Sequence, residues 1–164
     1  MPKILLGFMG AGKTTIGRLL DPNFHDMDAE LVLELGMPVS QYFATYGEEN
    51  FRSQETALLK RLLHEKGGVI STGGGLVMRQ ENLELLKTNP YNIFLKLDFE
   101  ALYQRLQADK THQRPLFLNQ SKNELKALYD YRLPLYESCA THTIETGDLT
   151  PEEIAEKIRC LQDT

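Results

Sequence analysis

The stretch GFMGAGKTT, Gly7–Thr15, follows directly on the apolar run ILL at positions 4–6. It matches the pattern GxxxxGK(S/T), in which the N–H groups of a glycine loop converge on phosphate oxygens where a helix begins. Lys13 would bring a mobile positive charge to the transferring phosphate, and Thr14 a hydroxyl to the magnesium ion that accompanies the nucleotide. A glycine turn without a ligand is the alternative, but the strand before the loop and the helix after it favour nucleotide binding. The stretch alone does not separate kinases from hydrolases and switches.

Around this loop the chain alternates short apolar runs with amphipathic helical stretches. Such alternation predicts an open α/β fold in which a parallel sheet is covered by helices, with ligands at the carboxyl ends of the strands. Strands are predicted at 3–8, 24–27, 69–72, 92–97 and 143–146. Helices are predicted at 13–20, 29–35, about 47–66, 81–87 and 121–140, and from 150 onward. Pro134 is expected to bend or interrupt its helix.

The composition is that of an ordinary globular protein. The 164 residues are 41% hydrophobic and 25% charged, with a net charge of -5. This charge argues against a nucleic-acid or membrane-surface binder, and no segment approaches the ~18 consecutive apolar residues of a membrane span. Cys139 and Cys160 form no metal-ligand pattern, so we expect reduced thiols, with a disulfide as the alternative. Without a signal-peptide pattern or any sign of an obligate interface, we expect a cytoplasmic monomer.

Two carboxylates follow the second predicted strand in the segment HDMDAE. Asp26 and Asp28 can serve two roles there: one toward the magnesium shell, the other accepting a proton from an attacking hydroxyl. Asp28 is also well placed to cap the helix predicted from Ala29, and this purely structural role stays open.

Two further features follow in GEENFRSQE and STGGG. Arg52 lies near the start of the long helix, where pairing with Glu48 or Glu55 on the same face is the simple explanation. The glycines at 73–75 disfavour regular structure, so a close approach of the backbone to another group is expected, with a plain flexible loop as the alternative.

The last two features are arginines, Arg114 next to a proline and Arg132 one helical turn before a tyrosine. Arg114 precedes Pro115 in the polar stretch 109–120, which lacks a helical period and is predicted to be a loop. Such a loop can act as a lid that brings an arginine onto the phosphates and excludes water, although a surface arginine is the alternative. Arg132 and Tyr136 are one helical turn apart, where a surface arginine and a core tyrosine would be the structural explanation.

Together these motifs resemble the shikimate kinase family. The matching features are GxxGxGK(S/T), F-x-D-x-D, GE-x-x-FR, STGGG, RPL and R-x-x-L-Y, which occur in the family's order between Lys3 and about Ala140. The resemblance implies the three-layer sandwich of a P-loop kinase of the nucleoside-monophosphate-kinase type, with a five-stranded parallel sheet flanked by helices. It also implies one domain over residues 1–164, with a substrate-binding segment at about 29–63 and a lid loop at about 107–120.

The resemblance further implies transfer of the γ-phosphoryl group of ATP to the 3-hydroxyl of shikimate, a step of aromatic amino-acid biosynthesis, with Mg2+ as cofactor. The implied ATP-binding residues are Gly10, Ala11, Gly12, Lys13, Thr14, Thr15 and Arg114. The implied shikimate-binding residues are Asp28, Arg52, Gly73, Gly74, Gly75 and Arg132. Magnesium would be held directly by Thr14 and through water by Asp26. Asp28 would be the base or orienting group, while Lys13 and Arg114 would stabilise charge on the transferred phosphoryl group.

The chain departs from the family pattern at two places. The first helix is about four residues, or roughly one turn, shorter than usual, which should keep the loop and Asp28 in register. The residues at 109–113 match no family signature.

The rival interpretations are a kinase of gluconate or of a nucleoside monophosphate, a GTPase switch, and a catalytically silent binding module. The acceptor-side residues argue against the other kinases, and the lack of an NKxD-type motif argues against the switch.

Overall fold

The computed structural model describes residues 1–65, 67–108 and 121–161. Five strands form one parallel sheet in the order β2-β3-β1-β4-β5. Their bounds are β1 Lys3–Leu6, β2 His25–Asp26, β3 Val69–Ser71, β4 Asn92–Lys96 and β5 His142–Glu145. Ile4, Leu5 and Leu6 have no exposed surface, as expected for a central strand with helices on both faces. The predicted five-stranded parallel sheet is confirmed, and each strand end lies within two residues of its expected place.

Helices cover both faces of the sheet and give the three-layer arrangement. Their bounds are α1 Lys13–Leu20, α2 Met27–Leu35, α3 Val39–Tyr46, α4 Glu48–Leu63, α5 Gln80–Lys87, α6 Phe99–Ala108, α7 Lys122–Cys139 and α8 Pro151–Arg159, with a 3-10 turn at Leu76–Met78. Among these described helices, α3 and α6 were not predicted. None of the helices in the described ranges is long and apolar enough to cross a membrane.

Helix α7 carries two of the predicted site residues and begins with a capping box. The Ser121 hydroxyl accepts from the N–H of Glu124, whose carboxylate accepts from the N–H of Ser121. The expectation that Pro134 would interrupt this helix is wrong, since α7 continues through it to Cys139. Proline removes the hydrogen bond to the carbonyl four residues earlier, that of Asp130; both residues are exposed, so water can serve this carbonyl instead.

The short helix α1 connects to β2 through a tight turn. The N–H of Asn23 donates to Asp21 Oδ1 at 2.9 Å, and the N–H of Phe24 donates to the Asp21 carbonyl at 3.0 Å. The turn folds the Phe24 ring onto α1 at Gly17, where a Cβ would lie 2.7 Å from the ring. This close packing lets the chain return to the sheet after only eight helical residues.

Candidate active site

The phosphate loop joins the carboxyl end of β1 to α1, as the sequence predicts. Gly10 and Gly12 have φ angles of 84° and 93°, a region that favours glycine, and Gly12 is the N-cap of α1. A Cβ at Gly10 would also lie 3.3 Å from Leu106 on α6. Helix α6 therefore supports the loop from behind, and its Arg105 Nη1 donates to the Gly10 carbonyl at 3.4 Å.

Lys13 lies over the phosphate loop that it follows. Its ammonium donates to the carbonyl of Gly7 and, at 3.1 Å, to that of Phe8. The N–H of Ala11 also donates to the Phe8 carbonyl, at 3.1 Å. The loop thus folds around the lysine, while Thr14 and Thr15 are exposed at the first turn of α1.

Asp26 lies at the end of β2 and reaches the phosphate loop. Its Oδ2 accepts from the Thr14 hydroxyl at 3.5 Å, and its Oδ1 accepts from the N–H of Ala29 at 3.2 Å. Asp26, and not Asp28, is therefore the N-cap of α2, which begins at Met27. In the described residues no group of three or more His, Cys, Asp or Glu side chains could hold a metal ion by itself.

The structural alternative for Asp28 is therefore wrong. The helix starts two residues earlier than predicted, because Asp26 caps it, and the fully buried Met27 belongs to its first turn. Asp28 consequently lies within α2, on an exposed position facing the glycine triplet. A Cβ at Gly73 would lie 2.7 Å from Asp28 Oδ1 and 3.2 Å from Glu55 Oε2.

Each glycine of the triplet lies against a different functional group. A Cβ at Gly74 would be 3.5 Å from Arg132 Nη1 and 3.3 Å from the backbone nitrogen of Met9 in the phosphate loop. A Cβ at Gly75 would be 2.8 Å from Arg52 Cζ. None of the three has a positive φ, so these glycines are required by space and not by backbone conformation. The predicted close approach is confirmed.

Arg52 is held between acidic and aromatic neighbours on α4. It pairs with Glu55 at 2.9 Å and with Glu48 at 3.5 Å, and its guanidinium lies 5.4 Å from the Phe51 ring. The simple pairing expected from the sequence therefore exists, but the Arg52 side chain is only 12% exposed. It points inward toward Gly75.

Glu55 lies in the site, although the sequence indicates only a carboxylate that pairs with Arg52 on the helix surface. Its side chain is 1% exposed, and burial raises its pKa although Arg52 opposes the shift. A signal was available: the helical period that buries Leu58, Leu59 and Leu62 on α4 places position 55 on the same face.

Arg132 is the most deeply buried cation of the site. It is 3% exposed, with its guanidinium 5.5 Å from the Phe8 ring. Its Nε and Nη1 are buried and have no hydrogen-bond partner within residues 1–65, 67–108 and 121–161. Burial lowers the pKa of Arg132, because a desolvated cation is costly. The surface-arginine alternative is wrong here, and the unpaired donors suit an anionic ligand.

Tyr136 lies one turn along α7 from Arg132 and is 2% exposed. Its ring stacks on Phe94 of β4 with centroids 5.1 Å apart, and its hydroxyl donates to the carbonyl of Gly74. The predicted core packing of this tyrosine is confirmed. Its hydroxyl also contacts the glycine triplet, a contact that no sequence pattern indicates.

The structure brings together Lys13, Thr14, Asp26, Asp28, Arg52, Arg132 and the glycine triplet at the carboxyl ends of β1, β2 and β3. This is the edge where open α/β sheets bind ligands. Arg114 and residues 109–120 of the predicted lid lie outside the described residues. The site thus has a phosphate-binding half on the loop and a cationic half on α4 and α7, joined by Gly74.

Comparisons with known proteins identify the family of this chain. The family model described as shikimate kinase matches residues 9–161. The chain is 56% identical over 161 residues to a shikimate kinase of Streptococcus gordonii, covering 98% of this chain and 100% of that relative. It is 43% identical to a shikimate kinase of Enterococcus faecalis, covering 94% of each.

Among solved structures, one of the shikimate kinase from Acinetobacter baumannii in complex with shikimate superimposes with a TM-score of 0.87 at 36% identity, covering 96% of this chain and 90% of that one. A gluconokinase from Sinorhizobium meliloti, with a TM-score of 0.54 at 17% identity, covering 96% of this chain and 88% of that one, shares only the fold. A family model matched from the phosphate loop to the last helix, together with these relatives, shows that the chain belongs to the shikimate kinase family.

Proposed function

We propose that this chain transfers the γ-phosphoryl group of ATP to the 3-hydroxyl of shikimate, giving shikimate 3-phosphate and ADP. The observation that carries the assignment is the buried guanidinium of Arg132. Its Nε and Nη1 lack a hydrogen-bond partner among the described residues, and it lies against Gly74, beside the phosphate loop. A pocket with this charge fits a small carboxylate, and its position fits an acceptor that receives a phosphoryl group from that loop. Shikimate is such an anion, with hydroxyls around its ring.

The donor half is formed by the phosphate loop and the start of α1. Its glycines and the N-terminus of α1 bind the phosphates, and Lys13 leaves the loop carbonyls of Gly7 and Phe8 for phosphate oxygens when ATP arrives. We also assign ATP contacts to Gly10, Ala11, Gly12, Thr14 and Thr15. Arg114 is proposed to reach the transferred group from the lid.

Thr14 and Asp26 fit a magnesium ion carried by the nucleotide. Both offer oxygen atoms, which lie 3.5 Å apart, and the N-cap hydrogen bond leaves Asp26 Oδ2 directed at the loop. Mg2+ is usually held by one or two protein oxygens together with phosphates and water, so two donors suffice. When bound, the ion would neutralise developing charge on the phosphates. Thr14 would hold it directly and Asp26 through water.

The acceptor half binds the shikimate carboxylate between two arginines. Arg132 Nε and Nη1 have no partner in the part of the chain that the structure describes, and a guanidinium can donate two parallel hydrogen bonds to a carboxylate. Arg52 is partly neutralised by Glu55, which keeps two buried cations from repelling each other at full strength. Gly73, Gly74 and Gly75 form the floor between them.

Asp28 is proposed to accept the proton of the attacking hydroxyl or to orient it. It is exposed toward the pocket and lies next to Gly73 on the acceptor side. A carboxylate is the correct acceptor for a hydroxyl proton, and positioning dominates catalysis of phosphoryl transfer. Because all these groups come from one chain, we propose that a monomer is active.

The test of substrate identity is release of ADP from ATP and magnesium with shikimate, gluconate, AMP or no acceptor. Rapid release is expected with shikimate only. Equal rates with and without shikimate would refute the assignment, and rapid release with gluconate would move it to another kinase of the same fold.

The test of Asp28 is the substitution Asp28→Asn, which keeps the size of the side chain and removes its basicity. Turnover is expected to fall by about 100-fold or more, while the Kd for ATP stays within about twofold. Asp148→Asn, an exposed position beyond β5, is the matched control. Near-normal turnover of Asp28→Asn would rule out the assigned role.

A further inference from the structure

The peptide between Gly74 and Gly75 separates the two arginines of the acceptor half. Gly74 lies against the Arg132 guanidinium and Gly75 against that of Arg52. The direction of this peptide therefore decides how far apart the two cations are held and where its own N–H points. Glycines have no side chain to hold them in place, so the peptide needs an outside anchor.

The three glycine carbonyls accept hydrogen bonds from different parts of the chain. The carbonyl of Gly73 accepts from the N–H of Leu76 at 3.2 Å, and that of Gly75 accepts from the N–H of Met78 at 3.1 Å, both within the local 3-10 turn. The carbonyl of Gly74 instead accepts from the hydroxyl of Tyr136, which reaches it from α7. A side chain 62 residues away thus orients the central peptide.

Tyr136 is itself fixed on every side. Its ring is 2% exposed and stacks on Phe94, so the hydroxyl has little freedom to move. The Tyr136 hydroxyl also favours the charged form of Arg132 and partly offsets the lowering of the pKa of Arg132 by burial. One hydroxyl therefore bonds the peptide that spaces Arg132 from Arg52 and acts electrostatically on Arg132 itself.

We propose that Tyr136 is a positioning residue for the acceptor: its hydroxyl fixes the Gly74–Gly75 peptide and the Arg132 guanidinium in the geometry that receives the shikimate carboxylate. In a trans peptide the N–H points away from the carbonyl, so anchoring the Gly74 carbonyl on α7 turns the Gly75 N–H to the opposite side, away from Tyr136. The inference rests on the proposed function, because it concerns how that carboxylate is bound.

The test is Tyr136→Phe, which keeps the ring stacked on Phe94 and removes only the hydroxyl. The chain supplies a matched control on the same helix: Tyr129 is also buried, and its hydroxyl donates to a backbone carbonyl, that of Leu97, at 2.8 Å. Tyr129→Phe removes an equivalent hydrogen bond away from the acceptor half. KM for shikimate, KM for ATP and kcat would be measured for both variants, with the shikimate Kd by calorimetry.

Tyr136→Phe is expected to raise KM and Kd for shikimate by about tenfold. This ratio corresponds to the loss of one hydrogen bond between the displaced acceptor half and the charged shikimate carboxylate. The KM for ATP should stay within about twofold, and Tyr129→Phe should leave both constants unchanged. KM and Kd are properties of the folded molecules, so a loss of stability alone does not move them.

Three results would overturn the inference: an unchanged shikimate KM in Tyr136→Phe, an equal rise in Tyr129→Phe, or an equal rise in the KM for ATP. If the unaltered protein bound no shikimate in the calorimeter, the proposed function would fail and this inference with it. Normal shikimate binding by the unaltered protein and both variants would overturn the role of Tyr136 alone.

Discussion

Gly75→Ala adds one methyl group at the point where the acceptor half is most crowded. The new Cβ would lie 2.8 Å from Arg52 Cζ and Nη1, closer than such atoms can approach. The backbone itself tolerates alanine, since Gly75 has φ -91° and ψ 3°. The strain therefore falls on the end of the Arg52 side chain, which must move away from the pocket.

The size of the effect follows from what Arg52 would lose. A hydrogen bond between charged groups is worth about 1.5–3 kcal/mol, so moving the guanidinium off the shikimate carboxylate should raise the shikimate KM by about 10- to 100-fold. The free energy of unfolding should change little. Replacing glycine by alanine at a compatible φ and ψ contributes about 0.4–1 kcal/mol through the unfolded chain, which offsets a strained Arg52–Glu55 pair.

The assay is ADP release at varied shikimate and varied ATP, with thermal unfolding measured in parallel. Gly147→Ala is the matched control, because its Cβ would make only an ordinary 3.7 Å contact with Leu97. Combining Gly75→Ala with Arg52→Ala should raise KM no further than Arg52→Ala alone, since both changes remove the same interaction. A shikimate KM within about twofold of the unaltered protein would refute the reasoning, as would full additivity.

Two further predictions concern the region between α1 and β2. Gly17→Ala would place a Cβ 2.7 Å from the Phe24 ring and should lower the free energy of unfolding by about 1–3 kcal/mol, measured by urea denaturation; an unchanged midpoint would contradict it. Partial burial opposes the charge on His25, but Glu30 and Glu65 outweigh it and raise the pKa of His25. The stabilisation from a raised histidine pKa is present below its unfolded value and is lost as pH rises through the folded value. The unaltered protein should therefore have a larger free energy of unfolding than His25→Gln, by less than about 1 kcal/mol. This difference should shrink from about pH 6 to pH 8 in urea titrations without metal ions, and a growing difference would contradict the prediction.

The sheet could be predicted from the sequence because its strands carry continuous apolar runs between glycine and polar boundaries. The two helices that were not predicted, α3 and α6, were missed for different reasons. Helix α3 has the sequence VSQYFATY, rich in β-branched and aromatic residues with weak helix propensity, and it is held by packing of Tyr42 against Phe51. Helix α6 did carry a signal, since the Asp98 carboxylate accepts from the N–H of Ala101 at its first turn.

Site residues could be predicted from the sequence where a short motif by itself indicates their chemical role. The phosphate loop and the crowded glycine triplet belong to this class. The role of Tyr136 could not be predicted in the same way, because it depends on Gly74, a partner that the fold brings near. The burial of Glu55 was indicated only by the helical period of α4. Capping of α2 by Asp28, an alternative that the sequence leaves open, is wrong, because Asp26 two residues earlier accepts from the N–H of Ala29 and caps the helix.

The position of Gly74 has a consequence for inhibitors. A Cβ at Gly74 would lie 3.3 Å from the Met9 backbone nitrogen in the phosphate loop and 3.5 Å from Arg132 Nη1 in the acceptor half. The two halves of the proposed site therefore approach each other closely at this glycine. A compound that joins a carboxylate to a phosphate mimic through a linker of a few atoms could occupy both sides at once. A larger residue at position 74, as a resistance substitution, would crowd both the phosphate loop and Arg132 and so impair the proposed reaction itself.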